Sequence, residues 1–137
     1  MTTVAELPAF GPDPTPEDAP FWEAAAEDRL VLPRCRGCAT FIWYPRSFCP
    51  QCHSPKGVEW VPASGRGTVY SFTVSHRGMG PYSEHAPYVV AYVELEEGPR
   101  VLTNIVGADL DTLGIGDPVT IVFQPAGQSK VPRFGPA

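Results

Sequence analysis

Cys35-Arg36-Gly37-Cys38 and Cys49-Pro50-Gln51-Cys52 form two Cys-x-x-Cys units separated by ten residues. Two thiolates on one tight turn can reach the same ion, and two such turns complete a tetrahedral four-thiolate shell. Gly37 permits the first turn and Pro50 stiffens the second. The separation is shorter than the commonest finger spacing and suits two knuckles stacked on a short hairpin. A full shell of thiolates leaves no position for water or substrate, so the metal is expected to be structural rather than catalytic. Zn2+ is the expected ion. Iron in a rubredoxin-like site is the alternative, because a tetrahedral sulfur shell suits both. Four buried cysteines or a redox dithiol would leave the matched spacing unexplained.

Other reactive groups are sparse. His53, His76 and His85 are the only histidines. The sequence holds no Gly-x-Ser-x-Gly elbow, no His-Glu-x-x-His and no phosphate-binding glycine loop, so no catalytic residue is assigned. His53 follows a candidate ligand and is expected on the ribbon surface. The segment from His76 to Pro87 is long for a hairpin connection and combines polar, aromatic and glycine residues. Such loops often carry binding, which makes His76, Tyr82 and His85 candidate contacts. A solvated loop that only closes the sheet is the competing reading.

The elements that must position these groups follow from composition and pattern. The 137 residues are 43% hydrophobic and 18% charged, as in ordinary globular proteins. Seventeen prolines and thirteen glycines favour short strands and many turns. Residues 1–17 carry four prolines and are expected to form a flexible arm. A short helix follows, with Asp18 as its cap, Pro20 in its first turn, and Phe21, Trp22, Ala25 and Ala26 at helical spacing. Leu30 to Leu32 is a brief strand leading into the first cysteine pair. Phe41, Ile42, Trp43, Tyr44 and Phe48 offer more apolar surface than a ribbon can hide, so they pack on the helix or barrel, or form an interface.

From Gly65 the chain turns to strands. Thr68–Ser75, Tyr88–Leu95, Arg100–Val106 and Val119–Phe123 are β-rich, with Glu97-Gly98-Pro99 as a tight hairpin and Asp109–Leu113 as a single helical turn. This pattern predicts a mainly β chain. It comprises a helix plus zinc ribbon over 18–64, a small OB-fold barrel over 65–124, and a Pro/Gly-rich tail over 125–137.

Charge divides along the same lines. Residues 1–28 carry −7, residues 29–66 carry +5 and residues 67–137 carry −3. The basic middle holds Arg34, Arg36, Arg46, Lys56 and Arg66, candidates for attracting phosphates. No run approaches the length of a membrane span, and the N-terminus lacks the basic start and apolar run of a signal peptide. A cytoplasmic protein is therefore expected, in which cysteines serve as metal ligands rather than disulfides.

The combination of motifs is more specific than the cysteines alone. Phe21-Trp22 precedes Arg29-Leu30 and the four-cysteine ribbon. Then come Gly65-Arg66-Gly67-Thr68-Val69-Tyr70-Ser71, Pro87-Tyr88-Val89-Val90-Ala91-Tyr92-Val93 and Gly114-Ile115-Gly116-Asp117-Pro118-Val119. Over about residues 18–134 this order resembles the DUF35 family, zinc-ribbon plus OB-fold proteins associated with acyl-CoA. The resemblance implies a non-catalytic accessory subunit of a thiolase-superfamily enzyme, either a thiolase with hydroxymethylglutaryl-CoA synthase or a steroid side-chain aldolase. It implies a hetero-oligomer in which the partner supplies the carbon–carbon bond chemistry and this chain helps to form the acyl-CoA binding region. Some members are fused to hydratase domains; this sequence has none, so any hydratase is expected to be separate.

Two other classes stand beside that expectation. A nucleic-acid-binding module would use the basic, aromatic ribbon, but the net charge of −5 and the acidic flanks oppose it. A stand-alone enzyme would have to work through His76 or His85.

Overall fold

On the strand from Tyr88 to Leu95, Val89, Ala91, Val93 and Leu95 are buried while Tyr92 is 45% exposed. This period of two is that of a strand with one face on a core. The computed structural model describes residues 7–137 and places this strand in a closed barrel. The elements in chain order are α1 (Ala19–Ala25), β1 (Val31–Cys35), β2 (Val58–Pro62), β3 (Arg66–Ser75), a 3-10 segment (Gly80–Glu84), β4 (Tyr88–Leu95), β5 (Arg100–Ile105), β6 (Pro118–Ala126) and β7 (Ser129–Pro136). β1 and β2 pair antiparallel as the ribbon hairpin, and the barrel runs β3-β4-β5-β7-β6 before closing on β3.

The close packing of β3 on β4 explains the glycine in Arg66-Gly67-Thr68. A Cβ on Gly67 would lie 2.5 Å from the Glu94 carbonyl oxygen and 2.8 Å from Val93. Further along, the register slips between Val69 and Ser71, and this bulge leaves Tyr70 outside the pairing. Arg100 covers the Tyr70 ring at 3.9 Å. The Glu97-Gly98-Pro99 hairpin forms as expected, with Leu95 N donating to Pro99 O at 2.9 Å. Asp109–Leu113 makes one hydrogen-bonded turn, Leu113 N to Asp109 O at 3.0 Å.

Residues 125–137 are not a tail. They complete β6 and supply β7, which closes the barrel through a parallel pairing of Ile105 with Phe134. The physical reason is visible in the pairing. β7 is bonded along its whole length to β6 but meets β5 at a single register position, so Pro132 and Pro136 cost few ladder bonds. Gly127 and Gln128 make the two-residue turn between Ala126 and Ser129. β2, likewise not foreseen as a strand, pairs with β1 from Val31–Pro62 to Cys35–Val58.

The arm also departs from expectation over its described part; residues 1–6 lie outside the described residues. Leu7 is 3% exposed, and its carbonyl accepts a bond from the Gln124 side chain. Pro8 O accepts from Tyr82 Oη at 3.2 Å and from Arg133 Nη2 at 2.8 Å. Proline-rich backbone is extended and cannot pair with itself, so its carbonyls are satisfied by side chains of the barrel.

Helix and ribbon share one core with the barrel. Phe21 of α1 and Leu30 and Leu32 beside the ribbon join Val69, Val93 and Phe134 in a single buried cluster. Asp18 occupies the N-cap position, yet its side chain makes no cap bond. Its carboxylate turns back to accept from Thr15 N at 2.6 Å and Thr15 Oγ1 at 3.1 Å, and across to Tyr44 Oη at 2.6 Å.

Phe134 is 2% exposed at the closure, so Phe134→Ala should cost about 3–5 kcal/mol in a denaturant titration. Asp18 is 5% exposed. Burial opposes its charge, but the Tyr44 hydroxyl and the Thr15 groups outweigh burial and hold the carboxyl below its ordinary value. A depressed carboxyl contributes stability above its unfolded pKa and loses it as pH falls through the folded value. Asp18→Asn should therefore cost about 1–3 kcal/mol at pH 7, a difference from the parent that fades below about pH 4.

Candidate functional site: a four-cysteine metal centre and an aromatic cleft

Cys35 ends β1, and the chain reverses at once, with Ala39 N donating to Cys35 O at 2.9 Å and Cys35 N to Thr40 O at 2.9 Å. The second pair lies in a matching turn in which His53 N donates to Cys49 O at 3.0 Å. Each turn aims backbone N–H groups at sulfur. Gly37 N lies 3.2 Å from Cys35 Sγ, and Gln51 N lies 3.3 Å from Cys49 Sγ. Cys35 and Cys49 are buried, Cys38 and Cys52 exposed.

All four Sγ atoms lie within 4.8 Å of one another. Cys35 and Cys52 are separated by 3.6 Å, and Cys38 and Cys49 by 3.7 Å. A tetrahedron with metal–sulfur bonds of about 2.3 Å has edges of about 3.8 Å, so the donor set fits a single ion. The charges point the same way. The Thr40 hydroxyl, 3.1 Å from Cys38 Sγ, and the Thr40 N–H draw the Cys38 thiol down to about 6. At Cys52 the Ser54 N–H acts in the same sense, but the sulfurs of Cys38, Cys35 and Cys49, together with burial, push the thiol up to about 12. Four thiolates this close repel one another, and a cation among them would offset that repulsion.

The residues between the pairs build a second feature. Ile42 is buried, Phe41 and Trp43 pack on the shared core, and Tyr44 and Phe48 remain 44% and 48% exposed. Trp43 meets Phe21 edge-on at 5.2 Å and Tyr44 at 5.1 Å, while Phe21 meets Trp22 at 4.8 Å. These four rings form one wall of a cleft of about 450 Å³. The barrel forms the other wall, with Tyr82 and Tyr88 tilted together at 5.3 Å and Val90 and Leu102 beside them. Asn104 and Arg133 supply the lining with its amide and its cation. The volume is in the range of small-molecule sites.

Of the loop residues singled out from sequence, Tyr82 lines this cleft, whereas His76 and His85 do not. His76 is exposed just past β3, and His85 Nδ1 lies 3.1 Å from Pro81 O. Gly78 is needed here because a Cβ would collide with the Tyr82 carbonyl. The five basic candidates are dispersed. Arg34 pairs with Glu59 at 2.8 Å, and Arg66 with Glu96 at 2.9 Å. Arg36 Nε donates to Val58 O at 3.3 Å, while Arg46 and Lys56 are exposed.

Arg133, Asn104 and Gln124 escaped the sequence reading. Arg133 Nε donates to Gln124 Oε1 at 3.2 Å, and its Nη1 to Asn104 Oδ1. Asn104 Nδ2 in turn donates to Val89 O at 2.7 Å. The two-residue turn at Gly127-Gln128, followed by Val131 to Phe134, was the available signal; the surrounding prolines masked it.

Comparison with known proteins bears on both features. Residues 22–59 match the ChsH2 rubredoxin-like zinc ribbon domain, and residues 60–124 match the ChsH2 C-terminal OB-fold domain. A chain of the solved Ltp2-ChsH2(DUF35) aldolase superposes with a TM-score of 0.81 at 41% identity, covering 92% of this chain and 98% of that one. The chain belongs to the DUF35 family. A probable enoyl-CoA hydratase alpha subunit of Thermomonospora curvata is 44% identical over 124 residues, 88% of this chain. The chain spans only 38% of that relative. The benzoylsuccinyl-CoA thiolase subunit BbsA of Geobacter metallireducens is 34% identical over 92 residues, 67% of this chain and 60% of that subunit. Among the described residues, no helix is long and apolar enough to cross a membrane.

Cys49→Ser, or exhaustive chelation, should lower the melting midpoint by roughly 10 °C or more, the shift that a loss of about 3 kcal/mol gives a domain of this size. Because the thiols must deprotonate to bind, metal uptake by the chelated chain should release protons and weaken as pH falls, as a pH-indicator titration would report.

Proposed function

We propose that the chain is a non-catalytic accessory subunit of a thiolase-superfamily enzyme acting on acyl-CoA thioesters. The observation that carries this reading is the correspondence with the DUF35 chain of the aldolase over almost the whole of both chains. The likeness to a thiolase subunit supports the same partner class. The partner supplies the carbon–carbon bond chemistry, either thiolysis or aldol cleavage, and the acyl group is of steroid or other lipid type.

In this reading Cys35, Cys38, Cys49 and Cys52 hold a structural Zn2+. The ion supplies rigidity to the ribbon. Reduced cysteines in this number suit a cytoplasmic setting. Of the five basic candidates, Arg36, Arg46 and Lys56 form no ion pair among the described residues and are the ones left to meet coenzyme A phosphates. Arg34 and Arg66 already hold carboxylates and shape the surface instead.

Co-expression with a thiolase-like chain encoded alongside it should yield a stoichiometric complex by size-exclusion chromatography, with the partner more soluble or more active than alone. A thiolase-like chain that purifies separately with undiminished activity would overturn the proposal.

A further inference from the structure

We infer that the cleft between the helix–ribbon wall and the barrel is a binding site for a flat, ring-bearing acyl group, with its carboxylate or carbonyl oxygen on Arg133. This names the acyl class and rests on the accessory role proposed above.

Arg133 is a half-buried guanidinium whose three bonds go to Gln124 Oε1, Asn104 Oδ1 and Pro8 O, all of them uncharged acceptors. It forms no ion pair among the described residues, unlike Arg34, Arg66 and Arg100, each of which holds a glutamate. A guanidinium has five N–H donors, so two remain after those three bonds. The three acceptors come from β6, β5 and the N-terminal arm, which fixes the guanidinium before any ligand arrives. Preorganised cations of this kind favour an oxygen anion or a polarised carbonyl.

The rest of the cleft says what is attached to that oxygen. Its walls carry six aromatic rings, Phe21, Trp22, Trp43, Tyr44, Tyr82 and Tyr88, whose faces suit a planar partner. Val90 and Leu102 line the barrel side, and Leu102 is 60% exposed, a large apolar surface open to water without a ligand. An unringed chain would bury less of those faces, and the phosphates of coenzyme A would find only one cation here.

The test uses the full-length, metal-loaded chain without partner, so that its failure is separate from a failure to copurify. The probes are 2-naphthoate, 2-naphthylmethanol, octanoate and coenzyme A, measured by isothermal titration calorimetry. Naphthoate should bind with a dissociation constant on the order of 10⁻⁴ to 10⁻³ M. Naphthylmethanol should bind about tenfold more weakly, the factor that a charge-assisted hydrogen bond supplies. Arg133→Gln should abolish that tenfold preference while leaving naphthylmethanol binding within about twofold. Should Arg133→Gln fail to fold, Val90→Trp fills the cleft from the outer barrel face and should eliminate naphthoate binding without lowering the melting midpoint. The proposal is overturned by absent naphthoate binding, by equal or tighter binding of octanoate or coenzyme A, or by a preference for carboxylate that survives loss of Arg133. Equal weakening of both naphthyl probes by Arg133→Gln would make that residue purely structural and would also overturn it.

Discussion

Four sulfur atoms within 4.8 Å of one another are an electrostatic constraint before they are a metal site. As thiolates they repel one another; as thiols they pair only through weak S–H···S contacts. One dication resolves both problems and turns the cluster into a cross-link. The consequence extends along the chain, because residues 36–57 contain no regular strand or helix beyond one isolated bridge, Arg34 to Phe41. A connection of that length keeps one shape only if something other than backbone pairing holds it. Trp43 and Tyr44 sit in the middle of it, so the placement of Trp43 against Phe21, and of Tyr44 against Trp43, is inherited from the sulfur cluster.

The second clamp is polar. The Asp18 carboxylate ties the start of α1 to Tyr44 of the ribbon, and burial, with the same bond, pushes the Tyr44 hydroxyl up to about 12. Helix, ribbon and barrel thereby act as one body around a shared apolar core. On the opposite side of the cleft, Arg133 joins the arm to β5 and β6 through neutral acceptors. Polar bonds thus hold both walls of the aromatic cleft, Asp18 to Tyr44 on the helix–ribbon side and Arg133 to Asn104 on the barrel side.

Much of this was legible along the chain. β-rich composition marked β4 and β5 almost to the residue, and the glycine-proline hairpin between them followed from turn chemistry. The cysteine spacing identified the ribbon. β7 was hidden because Pro132, Gly135 and Pro136 imitate a disordered tail; a strand paired fully on one side only tolerates them. Asp18 was legible as a position but not as a partner, since the choice between its own helix and a tyrosine far along the chain is made by packing.

The sequence by itself determined the local chemistry: which cysteines pair on turns, which segments are β-rich, and where tight turns fall. Those properties depend on neighbours a few residues apart. Tertiary structure alone decided that Pro8, Asn104, Gln124 and Arg133 converge, and that rings from α1, the ribbon and β4 face one another. Such meetings depend on barrel closure and on the common core, and no short-range pattern encodes a contact between residues that only closure brings together.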